Sequence, residues 1–198
     1  MTTFYFVRHG TNDWLSKGIA GRSPGVHLNE EGRRQAERVA SFLEPKGIHA
    51  ILSSPLERTM ETAEPFARRM GKPLSSPDWL LEVNFGDWTA KSIAELDARE
   101  DWKKWNHFRS GHRAPGGESM MEVQARMVTG MESLRRGTGE AAVAFFGHGD
   151  PIRAALLYYL GMPVDMLQRL EVSPGSISVL KIGDCGAQLT GLNLLPGL

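Results

Sequence analysis

Short apolar segments alternate with amphipathic segments along most of the chain. Residues 3–7 and 141–146 are largely aromatic, β-branched or small and apolar, which predicts two buried strands. Residues 50–52 predict a third short strand. Residues 176–182 and 188–194 alternate between apolar and polar positions, which predicts two late strands.

Residues that favour helix starts lie between these strands. Asn29 is a candidate N-cap, because acidic residues and then apolar residues at helical spacing follow it. Ser54 before Pro55 resembles a capping box with proline in the first turn, which predicts a helix that begins near Pro55. Asp150 before Pro151 predicts another N-cap by the same logic.

Strands that alternate with amphipathic helices predict the α/β class, as a three-layer α/β/α sandwich with a mostly parallel central sheet. We expect a single domain over residues 1–198, since a chain of this length can bury its own core. A further amphipathic helix is predicted over residues 118–134. The least regular stretch, residues 83–115, is interpreted either as an inserted lid or as two surface helices. Its aromatic and basic residues are either core and solvated surface or substrate contacts: Trp88, Trp102, Lys103, Lys104, Trp105, Arg109 and Arg113.

The charge balance and the cysteine content limit the classes of partner and site that the chain can have. Lys plus Arg and Asp plus Glu each number 23, and this balance argues against a nucleic-acid partner. The single cysteine, Cys185, excludes an intrachain disulfide and a cysteine zinc site. The first apolar run is too short for a signal-peptide core, and no segment is long enough to span a bilayer. We therefore expect a cytoplasmic protein with no membrane partner.

Polar residues lie at the strand-to-helix junctions after three of the predicted strands. Arg8 and His9 follow the strand at residues 3–7, Arg58 lies in the predicted helix after the strand at residues 50–52, and His148 follows the strand at residues 141–146. Ligands of open α/β sheets gather at the carboxyl ends of the strands, so these side chains should converge on an anion. Taken alone, each has an ordinary structural interpretation, such as a histidine that bonds a backbone carbonyl or an arginine on a solvated helix. Their shared placement at strand ends favours a phosphate site.

Residues 6–10, Phe-Val-Arg-His-Gly, resemble the signature of the histidine phosphatase superfamily, the phosphoglycerate mutase-like group. The similarity continues along most of the chain, and an ordered series is far more specific than one tripeptide. Its further members are Gly21-Arg22, Leu28, Glu31-Gly32, Gln35-Ala36, Ser53-Ser54-Pro55-Leu56, Arg58, Glu61-Thr62-Ala63, Leu81-Glu82, Phe85-Gly86-Asp87-Trp88, Pro115-Gly116-Gly117-Glu118-Ser119, Gly147-His148-Gly149 and Ser176-Ile177.

The resemblance implies a catalytic set. His9 would attack phosphorus in line and become phosphohistidine, while Arg8, Arg58 and His148 hold the equatorial oxygens. Glu82 matches the family's proton donor, although it could also be a surface carboxylate in a turn. The implied phosphate-binding residues are Arg8, His9, Asn12, Arg58, His148 and Gly149. The resemblance implies neither a metal ion nor a cofactor, because arginines supply the positive charge.

Several further positions bear on phosphate binding or on substrate specificity. Relatives commonly carry an asparagine where this chain has Leu15, and we expect Asn12 to replace it from a neighbouring position. Gly21 and Arg22 lie in the loop that faces substrate in relatives, so we expect them to bind substrate. Asp150 stands where many relatives have a small residue; besides a helix cap, it could repel highly anionic substrates.

Three functions remain open from the sequence. The leading one is metal-independent hydrolysis of a small phosphomonoester, since mutases of this family generally look longer between Glu82 and the Pro-Gly-Gly-Glu-Ser motif. The second is a phosphomutase, an isomerase that uses the same histidine. The third, a catalytically silent phosphate-binding protein, is disfavoured because all five expected catalytic residue types are present. The expected partner is a small phosphorylated metabolite, and a homodimer is the prior expectation for self-association.

Overall fold

A computed structural model of the chain describes residues 1–15 and 17–197, and the strands in this part form one sheet. The strand order is β3-β2-β4-β1-β5-β6. The first four strands in this order pair in parallel, while β5 pairs antiparallel with both β1 and β6. The predicted mostly parallel sheet is confirmed. The strands are β1 Thr2–Arg8, β2 Ala50–Ser53, β3 Leu74–Ser75, β4 Ala142–Gly147, β5 Ile177–Gly183 and β6 Gly186–Leu194.

Helices cover both faces of the sheet. Neighbouring residues of β4 show this directly, because Phe145 packs into the core on one face and Phe146 into the core on the other. The helices are α1 Glu30–Leu43, α2 Glu57–Met70, α3 Ile93–Asp97, α4 Glu100–His107, α5 Met120–Thr138 and α6 Gly149–Tyr159. α1 and α2 pack on the Phe146 face, and α5 and α6 pack on the Phe145 face. Within the described residues, no helix is both long and apolar enough to cross a membrane.

The predicted start of α1 is confirmed, and those of two other helices are corrected. Asn29 caps α1 by accepting a hydrogen bond from the backbone of Gly32. α2 begins at Glu57 rather than near Pro55, and no side chain caps it. Ser54 is not available as a cap because its hydroxyl lies 2.9 Å from Nε2 of His148.

The predicted cap at Asp150 is wrong. α6 begins one residue earlier, at Gly149, with His148 in the N-cap position. Asp150 therefore lies in the first turn of the helix, where its carboxylate forms ion pairs with Arg109 and Arg153. These two buried or half-buried guanidinium groups, rather than the free backbone N–H groups of the helix, determine where this carboxylate points.

Residues 83–115 contain the short helices α3 and α4, which surround an aromatic core. The rings of Trp88, Trp102 and Trp105 lie 5.2 to 5.5 Å apart between centroids. All three side chains are buried. Of the two interpretations of these tryptophans, the core interpretation is the one that the structure supports, and the lid role of the segment stays a prediction.

Candidate active site

The adjacent parallel strands β2, β4 and β1 end at one edge of the sheet, where the polar residues gather. Arg8, the last residue of β1, lies opposite Gly147, the last residue of β4. His9 and His148 therefore follow side by side, and their ring centroids are 5.3 Å apart in an edge-to-face arrangement. Arg58 reaches the same place from the first turn of α2. The convergence predicted from strand order is present in the structure, whereas the chemical role of each residue stays a prediction.

His9 is held as a neutral ring with one defined tautomer. Its Nδ1 lies 2.8 Å from the carbonyl oxygen of Gly10, and because a carbonyl only accepts, Nδ1 must carry the proton. Burial, and then the positive charges of Arg58 and Arg8, hold the pKa of His9 well below its ordinary value. Nε2 consequently keeps its lone pair at neutral pH, as a nucleophile must.

The loop that carries His9 packs tightly against α1 and α2. The backbone N–H of Gly10 donates to the hydroxyl of Thr62 on α2 at 3.1 Å. A side chain at Gly10 would meet the backbone of Gly32 on α1, since its Cβ would lie 2.6 Å from that carbonyl oxygen. Only glycine fits this close approach, which explains the glycine of the Arg-His-Gly motif.

Backbone carbonyls anchor Arg8 and Arg58 through only some of the N–H groups of each guanidinium. Arg8 donates from Nη1 to Val172 at 2.7 Å, and Arg58 donates from Nη2 to Gly21 at 2.7 Å. Within the described residues, Nε of Arg8 and Nη1 of Arg58 are buried without a hydrogen-bond partner. Both arginines line a cavity of about 260 Å³ together with His9. Buried, unpartnered cationic N–H groups are costly unless an anion accepts them, so the cavity suits a phosphate group.

His148 is fully buried beside the two arginines. Its Nδ1 lies 3.3 Å from Nη2 of Arg58, which can only donate, and its Nε2 lies 2.9 Å from the hydroxyl of Ser54. Nδ1 therefore accepts and Nε2–H donates to Ser54. Burial, and then Arg58, lower the pKa of His148 well below its ordinary value, so this ring is neutral as well.

Glu82 supplies the carboxyl group of the site. Its side chain is 15% exposed, and Oε2 lies 3.7 Å from Nδ1 of His148. Oε1 accepts a hydrogen bond from the backbone of Val83 at 2.9 Å. Burial, and then the negative charge of Asp150, raise the pKa of Glu82 to about 7. A carboxyl group with this pKa can both donate and accept a proton near neutral pH.

The other predicted site residues fall into two groups. Asn12, Gly21 and Gly149 line the cavity, and Gly21 also accepts the hydrogen bond from Arg58. Arg22 lies behind the cavity wall instead. It donates to the backbone carbonyl of Glu82 at 2.8 Å and to the carboxylate of Glu118 at 2.9 Å, so its position suits holding Glu82 in place. Substrate binding by Gly21 and Arg22 stays a prediction.

Several cavity residues were not expected from the sequence. Apolar side chains form much of the remaining wall: Trp14, Leu15, Ile19, Phe85 and Ile93. Trp14 and Leu15 could have been found from their closeness to His9 in sequence. The others arrive because the loop after β1 pairs with the segment before α3, through hydrogen bonds between Ile19 and Lys91 and between Ala90 and Ile19. No local pattern signals that pairing.

Acidic, cysteine and histidine side chains do not assemble into a metal centre in the part of the chain that the structure describes. No group of three or more such side chains there could hold a metal ion. The positive charge at the cavity comes from arginine side chains instead.

The sequence profile of the histidine phosphatase superfamily (branch 1) matches residues 4–195. The chain belongs to this superfamily. A relative named probable phosphoglycerate mutase GpmB, from Yersinia pestis, is 33% identical over 181 residues, which cover 90% of this chain and 84% of that protein. A bifunctional protein of Mycobacterium tuberculosis is 32% identical over 191 residues, or 94% of this chain. The match covers only 52% of that relative's own length.

Solved structures of two other proteins share the fold. Mycobacterial glucosyl-3-phosphoglycerate phosphatase is 26% identical, with a TM-score of 0.88 and coverage of 97% of this chain and 98% of that one. The Bacillus stearothermophilus protein YhfR has a TM-score of 0.91 at 23% identity and covers 98% of both chains. Because YhfR is only 23% identical to this chain, its similarity shows the fold alone. The proteins that are similar to this chain thus include one named as a phosphatase and one named as a probable mutase.

Proposed function

We propose that this protein is a metal-independent phosphatase that hydrolyses a small phosphomonoester through a phosphohistidine on His9. The observation that carries the proposal is the neutral, buried His9 ring, with its tautomer fixed, beside arginines that keep unpartnered N–H groups. This combination provides a nucleophile and an anion site in the same cavity.

In the first step, Nε2 of His9 attacks phosphorus in line as the P–O bond to the alcohol breaks. Arg8 and Arg58 stabilise the charge on the non-bridging oxygens, where it is spread in the transition state. The protonated carboxyl group of Glu82 gives its proton to the departing oxygen, so the products are a neutral alcohol and phosphohistidine.

In the second step, the carboxylate of Glu82 takes a proton from water as the water oxygen attacks phosphorus. The P–N bond to His9 breaks, its electron pair returns to Nε2, and inorganic phosphate forms. Glu82 is protonated again and the enzyme is ready for another turnover. A pKa of about 7 suits both directions of this proton transfer.

Phosphoglycerate mutase activity is the second candidate, because of the 33% identity to GpmB. It would use the same His9, but it must keep water from the phosphoenzyme and hold a bisphosphorylated intermediate. The likeness to glucosyl-3-phosphoglycerate phosphatase supports hydrolysis instead.

Product analysis on a panel of phosphorylated metabolites separates these functions. The panel includes 3-phosphoglycerate with and without 2,3-bisphosphoglycerate. Wild type should release inorganic phosphate, His9→Ala should not, and the exposed-histidine control His49→Ala should match wild type. Isomerised phosphoglycerate with little free phosphate would contradict hydrolysis and establish the mutase.

A further inference from the structure

Asp150 is a carboxylate in the cavity wall that exchanges no proton and touches no reacting atom in the proposed mechanism, although its charge helps to raise the pKa of Glu82. Its side chain is 19% exposed, and its two oxygens accept from Arg109 at 3.1 Å and from Arg153 at 3.0 Å. Burial by itself would raise the pKa of Asp150, but the charges of Arg109 and Arg153 outweigh it and lower the pKa. The carboxylate is therefore ionised at neutral pH.

Arg109 holds this carboxylate from behind the wall. Its guanidinium lies 3.6 Å above the ring of Trp105 and donates to the side chain of Asn106 at 2.7 Å. The side chain of Arg109 is 6% exposed, and it is not among the cavity-lining residues. This arginine fixes the position of Asp150 and is itself out of reach of a substrate.

Arg153 is the lining cation next to the phosphate-binding pair. A Cβ at Gly149 would lie 3.3 Å from Nη1 of Arg153 and 3.4 Å from Nε of Arg8, so the two guanidinium groups flank one glycine. The same Nη1 of Arg153 donates to Asp150, and Nε donates to the carbonyl of Leu170 at 2.8 Å. Without Asp150, Arg153 would be a third arginine able to bind substrate anions in this cavity.

We propose that Asp150 sets specificity by withholding Arg153 from the substrate. Beyond Arg8, His9 and Arg58, the cavity wall then consists of the Asp150–Arg153 ion pair and several apolar side chains. The site accepts phosphate esters of uncharged, largely apolar alcohols and disfavours substrates that bear a second anionic group, either carboxylate or phosphate. This inference rests on the proposed function and names the substrate class of the same cavity.

Two aryl phosphates that differ by one charge test this specificity. 4-Carbamoylphenyl phosphate and 4-carboxyphenyl phosphate have nearly the same size, but only the second bears an additional carboxylate. Wild type should prefer the carbamoyl ester by roughly tenfold in kcat/KM. Equal use of the two esters, or preference for the carboxy ester, would overturn the proposal.

A double-mutant cycle identifies the residues responsible. Asp150→Asn should lower the ratio of kcat/KM for the carbamoyl ester to that for the carboxy ester by at least about fivefold, because Arg153 becomes free to pair with the carboxylate of the substrate. Asp150→Asn combined with Arg153→Met should restore the preference, since the freed cation is gone. The control Asp165→Asn also removes one carboxylate, from an exposed site bonded to Ser110, and should leave the ratio unchanged.

Arg153→Met alone covers the case in which Asp150→Asn does not fold. Arg109 still pairs with Asp150 in this variant, and Arg153 is already withheld from the substrate, so the preference for the carbamoyl ester should change by less than about twofold. A preference that grows several-fold, through loss of activity on the carboxy ester alone, would show that Arg153 already binds the carboxylate in wild type, and the proposal would be wrong.

Binding separates this inference from the proposed function. Calorimetric affinities of the same two esters for the His9→Ala protein give the charge comparison without turnover. If wild type releases no phosphate from either ester, the proposed function fails, and the affinity ratio still decides the role of Asp150. If both esters are hydrolysed and bound equally well, only the inference about Asp150 fails.

Discussion

At the scale of single residues, Glu82 has the environment that a general acid needs. It is largely buried, a carboxylate lies nearby, and its pKa is raised to about 7. Because of this raised pKa, a large fraction of Glu82 is protonated near neutral pH, whereas an exposed glutamate would have lost its proton. The environment of Glu82 therefore ties catalysis and stability to the same carboxyl group.

Glu82→Gln should slow esters with poor leaving groups selectively. Alkyl phosphates need a proton on the departing oxygen, so their kcat/KM should fall by roughly 10²- to 10⁴-fold, whereas aryl phosphates should lose less than about tenfold. For the same reason, wild-type kcat/KM on alkyl esters should fall as pH rises through about 7, where the acid form is lost. Steady-state kinetics on both ester classes check this. The exposed-site control is Glu64→Gln, and equal slowing of both classes by Glu82→Gln would rule out an acid role.

Glu82→Gln should also stabilise the fold at higher pH. The pKa is near 4.5 when the chain is unfolded and about 7 when it is folded. Between these values the native state holds a proton that the unfolded state has lost, so the free energy of unfolding of wild type falls as pH rises. The glutamine variant has no such loss, and its advantage should grow from pH 4.5 to about 7 and reach up to about 3 kcal/mol. Denaturant unfolding at several pH values measures this; an advantage that does not change with pH would show that Glu82 is not perturbed.

At the scale of elements, α2 supports the nucleophile loop through Thr62. Its buried hydroxyl accepts from the backbone of Gly10 and donates to the carbonyl of Arg58 at 2.6 Å. One side chain thus ties the loop that carries His9 to the helix turn that carries Arg58. Glycine in the loop and a hydroxyl on the helix are both needed for this contact.

Thr62→Val should weaken both stability and catalysis. The substitution keeps the shape but leaves the N–H of Gly10 buried without an acceptor, at a cost of about 1–3 kcal/mol. Thermal unfolding and kcat of the folded variant measure the two effects. Thr62→Ser keeps the hydroxyl and serves as the matched control, which should retain more activity than the valine variant. Equal activity of the two variants would mean that the hydroxyl does not position the loop.

A helix start was predictable from sequence where distant contacts do not displace the local cap. Asn29 caps α1 as its sequence predicts, because its Oδ1 accepts from the backbone of Gly32 and from the hydroxyl of Thr11 at the same time. Ser54 and Asp150 also have capping sequences. The hydroxyl of Ser54 is instead hydrogen-bonded to His148, and the carboxylate of Asp150 forms ion pairs with Arg109 and Arg153. Local sequence predicts a cap only where the distant partners of the side chain leave it able to accept from the helix N-terminus.

At the scale of the whole molecule, the order of the strands assembles the site. The sheet places the ends of β2, β4 and β1 together although they lie far apart in sequence, and the α/β pattern was sufficient to predict this convergence. The outer wall was not predictable in the same way. Arg109 reaches Asp150 across 41 residues, and its path depends on how the tryptophan core of residues 83–115 packs.

Chelation of metal ions should leave activity intact. The described part of the chain provides no metal centre, and arginines supply the charge that would otherwise need a cation. Activity should be the same after dialysis against EDTA as before it. Loss of activity that a divalent ion restores would refute the metal-free mechanism.

Detection of the phosphoenzyme tests the central assignment most directly. Wild type is mixed with a phosphate ester that it hydrolyses, and the reaction is quenched rapidly and kept alkaline. The protein is then digested, and mass spectrometry detects a phosphoryl group on the peptide that contains His9. We expect one phosphoryl group on His9 in wild type and none in His9→Ala, which should also have no turnover. A phosphoryl group on another residue, or steady turnover by His9→Ala, would contradict His9 as the nucleophile.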